Sequence, residues 1–199
     1  MRKLGDREKA MELRQRLYDI DELWELYCQP GNDHMRYELI DGVLIEMSGP
    51  GGRHGKLAVR LGRYLDIFAE ENDLGIVTVE SGYHPPGDRH TLLLPDLAFI
   101  GLEKAPEPFP ERFVPVMPDL AVEIQSPSNT MTELRNRAKL YFQLGTTLVW
   151  IVMPAAQCVE VHRAQTIGVP QYDTLRLGDT LNGEDVLPGF ALELNRLFH

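Results

Sequence analysis

Two apolar runs, each with an acid inside it, constrain this chain more than any other feature. Asp96 lies in LLLPDLAFI and Glu123 in PDLAVEIQSPS. Each run is apolar enough to be a buried strand, where an unpaired charge costs several kcal/mol. The pair therefore reads as a divalent metal site built on two strands, an arrangement suited to phosphodiester cleavage because the ion activates water and offsets charge on the phosphorus oxygens. For either acid alone, the competing reading is a sheet-edge residue facing solvent or an Arg. Local alternation weighs against it. Ala121, Glu123 and Gln125 alternate with Leu120, Val122 and Ile124, so carboxylate and amide share one face about 7 Å apart and the other face is aliphatic. Asp119 also follows a proline, but it lies roughly 13 Å along the same strand from Glu123, too far to share one ion.

The flanking sequence sketches an α/β layout. Residues 1 to about 28 read as helical, with a break around Asp19 and Asp21. RYELIDGVLIEM reads as a hairpin turning at Asp41-Gly42. A helix from about Arg53 to Asn72 carries a core stripe of Leu57, Leu61, Tyr64, Leu65 and Phe68 beside a basic stripe of Arg53, Lys56, Arg60 and Arg63. That stripe is either a solvated face or a rim that meets DNA phosphates through Arg53, Lys56 and Arg60. Further strands are expected near 74–83, 91–101, 118–125, 147–153 and 157–163, with a helix opened by the Thr130/Glu133 capping pair. The segment 169–199 reads as short strands and turns. Such an order predicts a mixed central sheet flanked by helices.

Composition excludes some alternatives. Among 199 residues, 43% are hydrophobic and 25% charged, as in a globular domain, and the longest apolar run ends at Pro154, well short of a membrane span. The charged N-terminus predicts no signal peptide, and Cys28 and Cys158 stand in no metal or redox spacing, which predicts a cytoplasmic location. A net charge of −10 means that any contact with nucleic acid must come from a local basic surface.

The succession RYELIDGVLIEM, RHGKLAVRLGRYL, LPDLAFI, PDLAVEIQSPSNT, LYFQLG, LVWIV and DVLPGF resembles the Uma-two family of restriction endonucleases, within the PD-(D/E)xK nuclease superfamily. The likeness runs from about Asp19 to Phe198. It implies an N-terminal helical extension over 1–18 and a single restriction-endonuclease-like domain over 19–199. It further implies magnesium, with manganese as substitute, on Asp96 and Glu123, assistance from Glu38, and an accessory part for His54. The expected Lys two residues after the strand acid is replaced by Gln125, which is assigned to position water or phosphate. The family's relocated Lys, four residues before Tyr141, is here Arg137, expected to stabilise charge in the transition state. Lys139 lies about 200° around that helix and faces elsewhere. Arg is a poor proton shuttle. Two function classes follow: a metal-dependent DNA endonuclease acting as a homodimer, or a weakly active or inactive nuclease fold serving as a nucleic-acid-binding or dimeric scaffold.

Overall fold

The computed structural model describes residues 16–32, 36–47, 49, 51–164 and 172–199. Of the expected N-terminal extension, residues 1–15 lie outside the described residues, and 16–18 are not helical: the Tyr18 N–H donates to Gly42 O at 2.7 Å. The first helix, α1 (Ile20–Cys28), begins where Asp19 caps it. The Asp19 carboxylate accepts from the N–H groups of Asp21 and Glu22, and the Glu22 side chain returns to the Asp19 N–H. This capping box makes the expected break a helix start.

The hairpin forms as expected from β1 (Tyr37–Ile40) and β2 (Val43–Glu46), with Ile40 paired to Val43. Asp41 and Gly42 both take positive φ, 51° and 79°, the geometry of a type I′ turn. Backbone bonds in both directions between Leu39 and Leu92, at 2.9 and 2.8 Å, fasten β1 to the segment leading into Asp96.

Helix α2 (Gly52–Glu71) buries Leu57, Leu61 and Leu65, spaced four apart, with Tyr64 and Phe68 partly covered beside them. It lies on one face of a six-stranded sheet ordered β3 (Gly75–Val79), β4 (Leu97–Gly101), β5 (Leu120–Ile124), β6 (Leu148–Met153), β7 (Cys158–Arg163) and β8 (Tyr172–Leu175). Only β5 and β6 pair in parallel; the other neighbours are antiparallel. The parallel pair requires a crossover, supplied by α3 (Met131–Leu144), which starts at the Thr130/Glu133 capping box and ends at Gly145 with φ 106°. A left-handed residue there suits glycine.

Both sheet faces are covered, which accounts for the unbroken burial of β5 and β6. Leu97, Phe99, Leu120, Val122, Trp150 and Val152 pack beneath α2, with the C-terminal β9 (Thr180–Asn182), β10 (Ala191–Glu193) and α4 (Leu194–Phe198) on the same side. Ala98, Ala121, Val149 and Ile151 pack against Leu134, Ala138 and Tyr141 of α3. Glu123 therefore belongs to the α3 face.

Three expectations are corrected in extent. The strand expected over 91–101 is a ladder only from Leu97, because Pro95 has no N–H to donate. The strand expected over 74–83 stops at Val79, where Glu80 turns to φ 51°. The C-terminal segment contains the helix α4, whose Leu194 and Leu197 are buried; five residues are too few to display a period. Residues 165–171 lie outside the described residues. No helix among the described residues is long and apolar enough to cross a membrane.

Candidate active site

Asp96 follows Pro95 and immediately precedes β4. Its Oδ2 accepts the Ile124 N–H of β5 at 2.6 Å, and its Oδ1 lies 3.1 Å from His54 Nε2, near the start of α2. One carboxylate thus joins both strands and the helix above them. Glu123, 5% exposed, accepts on Oε1 from Arg137 Nε at 2.6 Å and from the Tyr141 hydroxyl at 2.8 Å. Arg137 and Tyr141 stand four apart on α3, so one helix face delivers both donors to one oxygen. Glu38, 1% exposed, arrives from β1, where the Leu39–Leu92 pairing sets it beside Leu94. Its Oε1 accepts the Leu94 N–H at 2.5 Å, and its two oxygens take the Arg137 fork. Arg137 Nη2 also reaches Leu94 O and the Tyr141 hydroxyl, both at 3.3 Å.

Glu38, His54, Asp96, Glu123 and Arg137 thus come together from five separate stretches of chain. The other candidates stand outside this bonded group. Gln125 follows β5, and its amide meets Asn129 O at 3.5 Å in the turn before α3. Lys139 is exposed and touches Asn136 at 3.3 Å. Asp119 sits at the opposite end of β5, accepting from the Gly101 N–H at 2.8 Å and from Lys104 at 2.9 Å. Arg53 and Lys56 are exposed and line a groove with Pro154, Ala155 and Gln157, the turn after β6. That turn and Glu123 both lie at the C-terminal ends of the parallel strands, so groove and acids share one end of the sheet. Arg60 instead donates to Leu197 O at 2.9 Å and closes the end of α4. Tyr141, used in the sequence only as a landmark, turns out to be bonded into the site; its spacing of four from Arg137 was the available signal.

The family model described as "Putative restriction endonuclease", Uma2, matches residues 21–195. This chain belongs to the Uma2 family. A crystal structure from Anabaena variabilis ATCC 29413, described as that of a "putative nuclease belonging to DUF820", has a similar fold: TM-score 0.75 at 18% identity, over 90% of this chain and 97% of that one. No curated protein matches the sequence. The fold is thus a nuclease-like mixed α/β architecture.

The electrostatics of this Uma2 site are unbalanced. Three carboxylates face one guanidinium, which leaves two negative charges when all three are ionised and His54 is neutral. Burial pushes the Glu123 carboxyl up to about 7, and Asp96 and Glu38 add to the rise against the opposing pull of Arg137. The hydrogen bond to Asp96 raises His54, with Glu80 contributing. Burial opposes the charge on Arg137, but Glu123, Tyr141 and Glu38 keep it firmly protonated. His54 Nδ1 is buried and meets no hydrogen-bond partner at normal geometry.

Those features fit a divalent cation. Magnesium is commonly held by one or two carboxylates, with water and substrate phosphate completing its shell. Asp96 and Glu123, on adjacent strands, supply two. Among the described residues no group of three or more His, Cys, Asp or Glu is arranged to hold an ion. A different group, the half-buried Arg135 with the buried Glu160 and His162, has its charges paired: Arg135 forks onto Glu160 at 3.1 and 2.6 Å, and His162 Nε2 lies 2.9 Å from Glu160.

Proposed function

We propose that this chain is a metal-dependent DNA endonuclease in which Asp96 and Glu123 hold magnesium, with manganese able to substitute. The observation that carries this reading is the excess of acids over cations: Glu38, Asp96 and Glu123 face Arg137 and, when it is protonated, His54. The ion, when bound, supplies an acidified water and charge offset on the phosphate. The chain's own residues do the rest. The Ile124 N–H and His54 fix the direction of Asp96. Tyr141 and Arg137 fix one oxygen of Glu123. Glu38 locks Arg137 and keeps its positive charge beside the reacting phosphate, where it stabilises developing negative charge without moving a proton. Gln125, at the end of β5, positions water or phosphate, and Arg53 and Lys56 meet flanking phosphates along the groove. A cytoplasmic homodimer would present two such sites for two strands.

One observation favours a second reading, the non-cleaving scaffold: Arg137 is already engaged by two carboxylates, a closed arrangement that needs no substrate to be stable. Nicking of supercoiled plasmid separates the two. The endonuclease nicks with magnesium or manganese and loses the activity in Asp96→Asn and in Glu123→Gln. A wild type that binds DNA but nicks with neither metal is the scaffold.

A further inference from the structure

We infer that Arg36 is the residue of this site that binds the DNA phosphate beside the cleaved bond, and that Glu80 is the positioning residue that holds it there. This rests on the endonuclease reading above for the identity of the ligand, a nucleic-acid phosphodiester.

Arg137 is already committed within the site. Its Nε bonds Glu123, both terminal nitrogens bond Glu38, and Nη2 also meets Leu94 O and the Tyr141 hydroxyl. A guanidinium has five N–H groups, so at most a small part of this fork remains for a substrate. A phosphate arriving over Asp96 and Glu123 needs another cation to take it directly.

Arg36 is placed for that task. The Met47 N–H donates to Arg36 O at 2.8 Å, continuing the β1–β2 ladder one residue beyond Tyr37. Strand alternation then puts Arg36 on the same face as Glu38, about 7 Å away. From the other side comes Glu80. Its N–H donates to Asp96 O at 3.2 Å, directly after the Val79–Leu97 pair that ends the β3–β4 ladder. Arg36 Nη1 and Glu80 Oε1 meet at 2.9 Å. The ion pair therefore bridges the strand that carries Glu38 and the segment whose backbone bonds Asp96. The Arg36 side chain is 24% exposed and Glu80 39%, so the pair is open to a large polyanion.

Glu80 adopts φ 51°, a left-handed conformation uncommon for a residue with a side chain. A turn there would accept glycine more readily; a glutamate at this point has a carboxylate that the neighbouring cation uses. The planar fork of Arg36 can keep one edge on Glu80 and offer the other to a phosphate, as bidentate recognition requires.

The experiment uses the full chain and a short DNA duplex. Affinity is measured against salt with calcium present, and plasmid nicking is measured with manganese. Arg36→Gln is expected to lower the slope of log affinity against log salt by about one, to slow nicking about tenfold or more, and to melt within about 2 °C of wild type as a partly exposed pair should. Arg36→Lys keeps the salt slope while recovering only part of the rate, since it restores the charge without the fork. Glu80→Gln binds DNA more weakly although it removes a negative charge. An unchanged salt slope in Arg36→Gln overturns the proposal whatever the nicking rate, and tighter DNA binding by Glu80→Gln overturns the positioning role. Should wild type fail to nick at all, the endonuclease reading falls while the salt slopes still decide the contact.

Discussion

Replacing Arg137 by Ala removes a guanidinium bonded to two buried acids, and the size of the effect follows from their burial. Glu38 is 1% exposed and Glu123 5%. Glu38 keeps the Leu94 N–H and Glu123 keeps the Tyr141 hydroxyl, but each loses its opposite charge. Breaking a buried pair by deleting one partner costs about 3–5 kcal/mol. For a chain of this size each kcal/mol shifts the melting temperature by about 2–4 °C, so a drop of about 6–20 °C is expected at pH 8. The deficit should shrink toward pH 5.5, because the stranded carboxyls can then take up protons and cease to be charged. A second variant, Arg137→Ala with Glu38→Gln, should recover part of the loss at pH 8 by removing one of the unpaired charges. Differential scanning calorimetry of the three proteins at both pH values reads all of this. An Arg137→Ala protein that melts within 2 °C of wild type at pH 8, or a gap that widens on acidification, would refute the reasoning that this guanidinium holds the acids together.

Other outcomes follow from the same contacts. The Glu123 carboxyl has a folded value of about 7, above its ordinary one, so between roughly pH 4.5 and 7 the folded chain holds a proton that the unfolded chain has released. In the absence of metal this group's contribution to stability is complete below that window and is lost as pH rises through it, by about 3 kcal/mol; urea titrations from pH 5 to 8 measure it, and Glu123→Gln should flatten the profile. Manganese affinity should move the opposite way and strengthen by up to about tenfold per pH unit below 7, because the ligand must ionise first; calorimetric titration that finds no pH dependence contradicts the assignment. Arg53→Gln and Lys56→Gln should each reduce the salt slope of DNA binding by about one. Arg60→Gln should leave that slope alone and instead lower stability by about 1 kcal/mol, since its partner is Leu197 O.

What could be read in advance was local. Asp96 and Glu123 stood out because charge inside an apolar run has few explanations. Asp41-Gly42 and Thr130/Glu133 carried turn and cap chemistry within four residues, and both elements form where those residues placed them. The contacts that assemble the site are not local. Glu38 meets Arg137 across 99 positions, and it can do so only because Leu39 pairs with Leu92 outside any long strand. Arg60 looked like one of four equivalent cations on a helix stripe, and its distinction came from α4, an element too short to have a period. Arg36 and Glu80 lie far apart in the sequence, and only the register of β1–β2 and β3–β4 brings them together.

If Asp96 and Glu123 together hold a divalent cation at the C-terminal end of β5, crystals of the wild-type chain soaked in millimolar manganese will reveal it by anomalous scattering. One strong peak is expected within about 2.0–2.4 Å of an oxygen from each carboxylate, with Arg137 still bonded to Glu38, and no peak there in Asp96→Asn. A map with no density between the two acids, or with manganese only at other surface carboxylates, would contradict it.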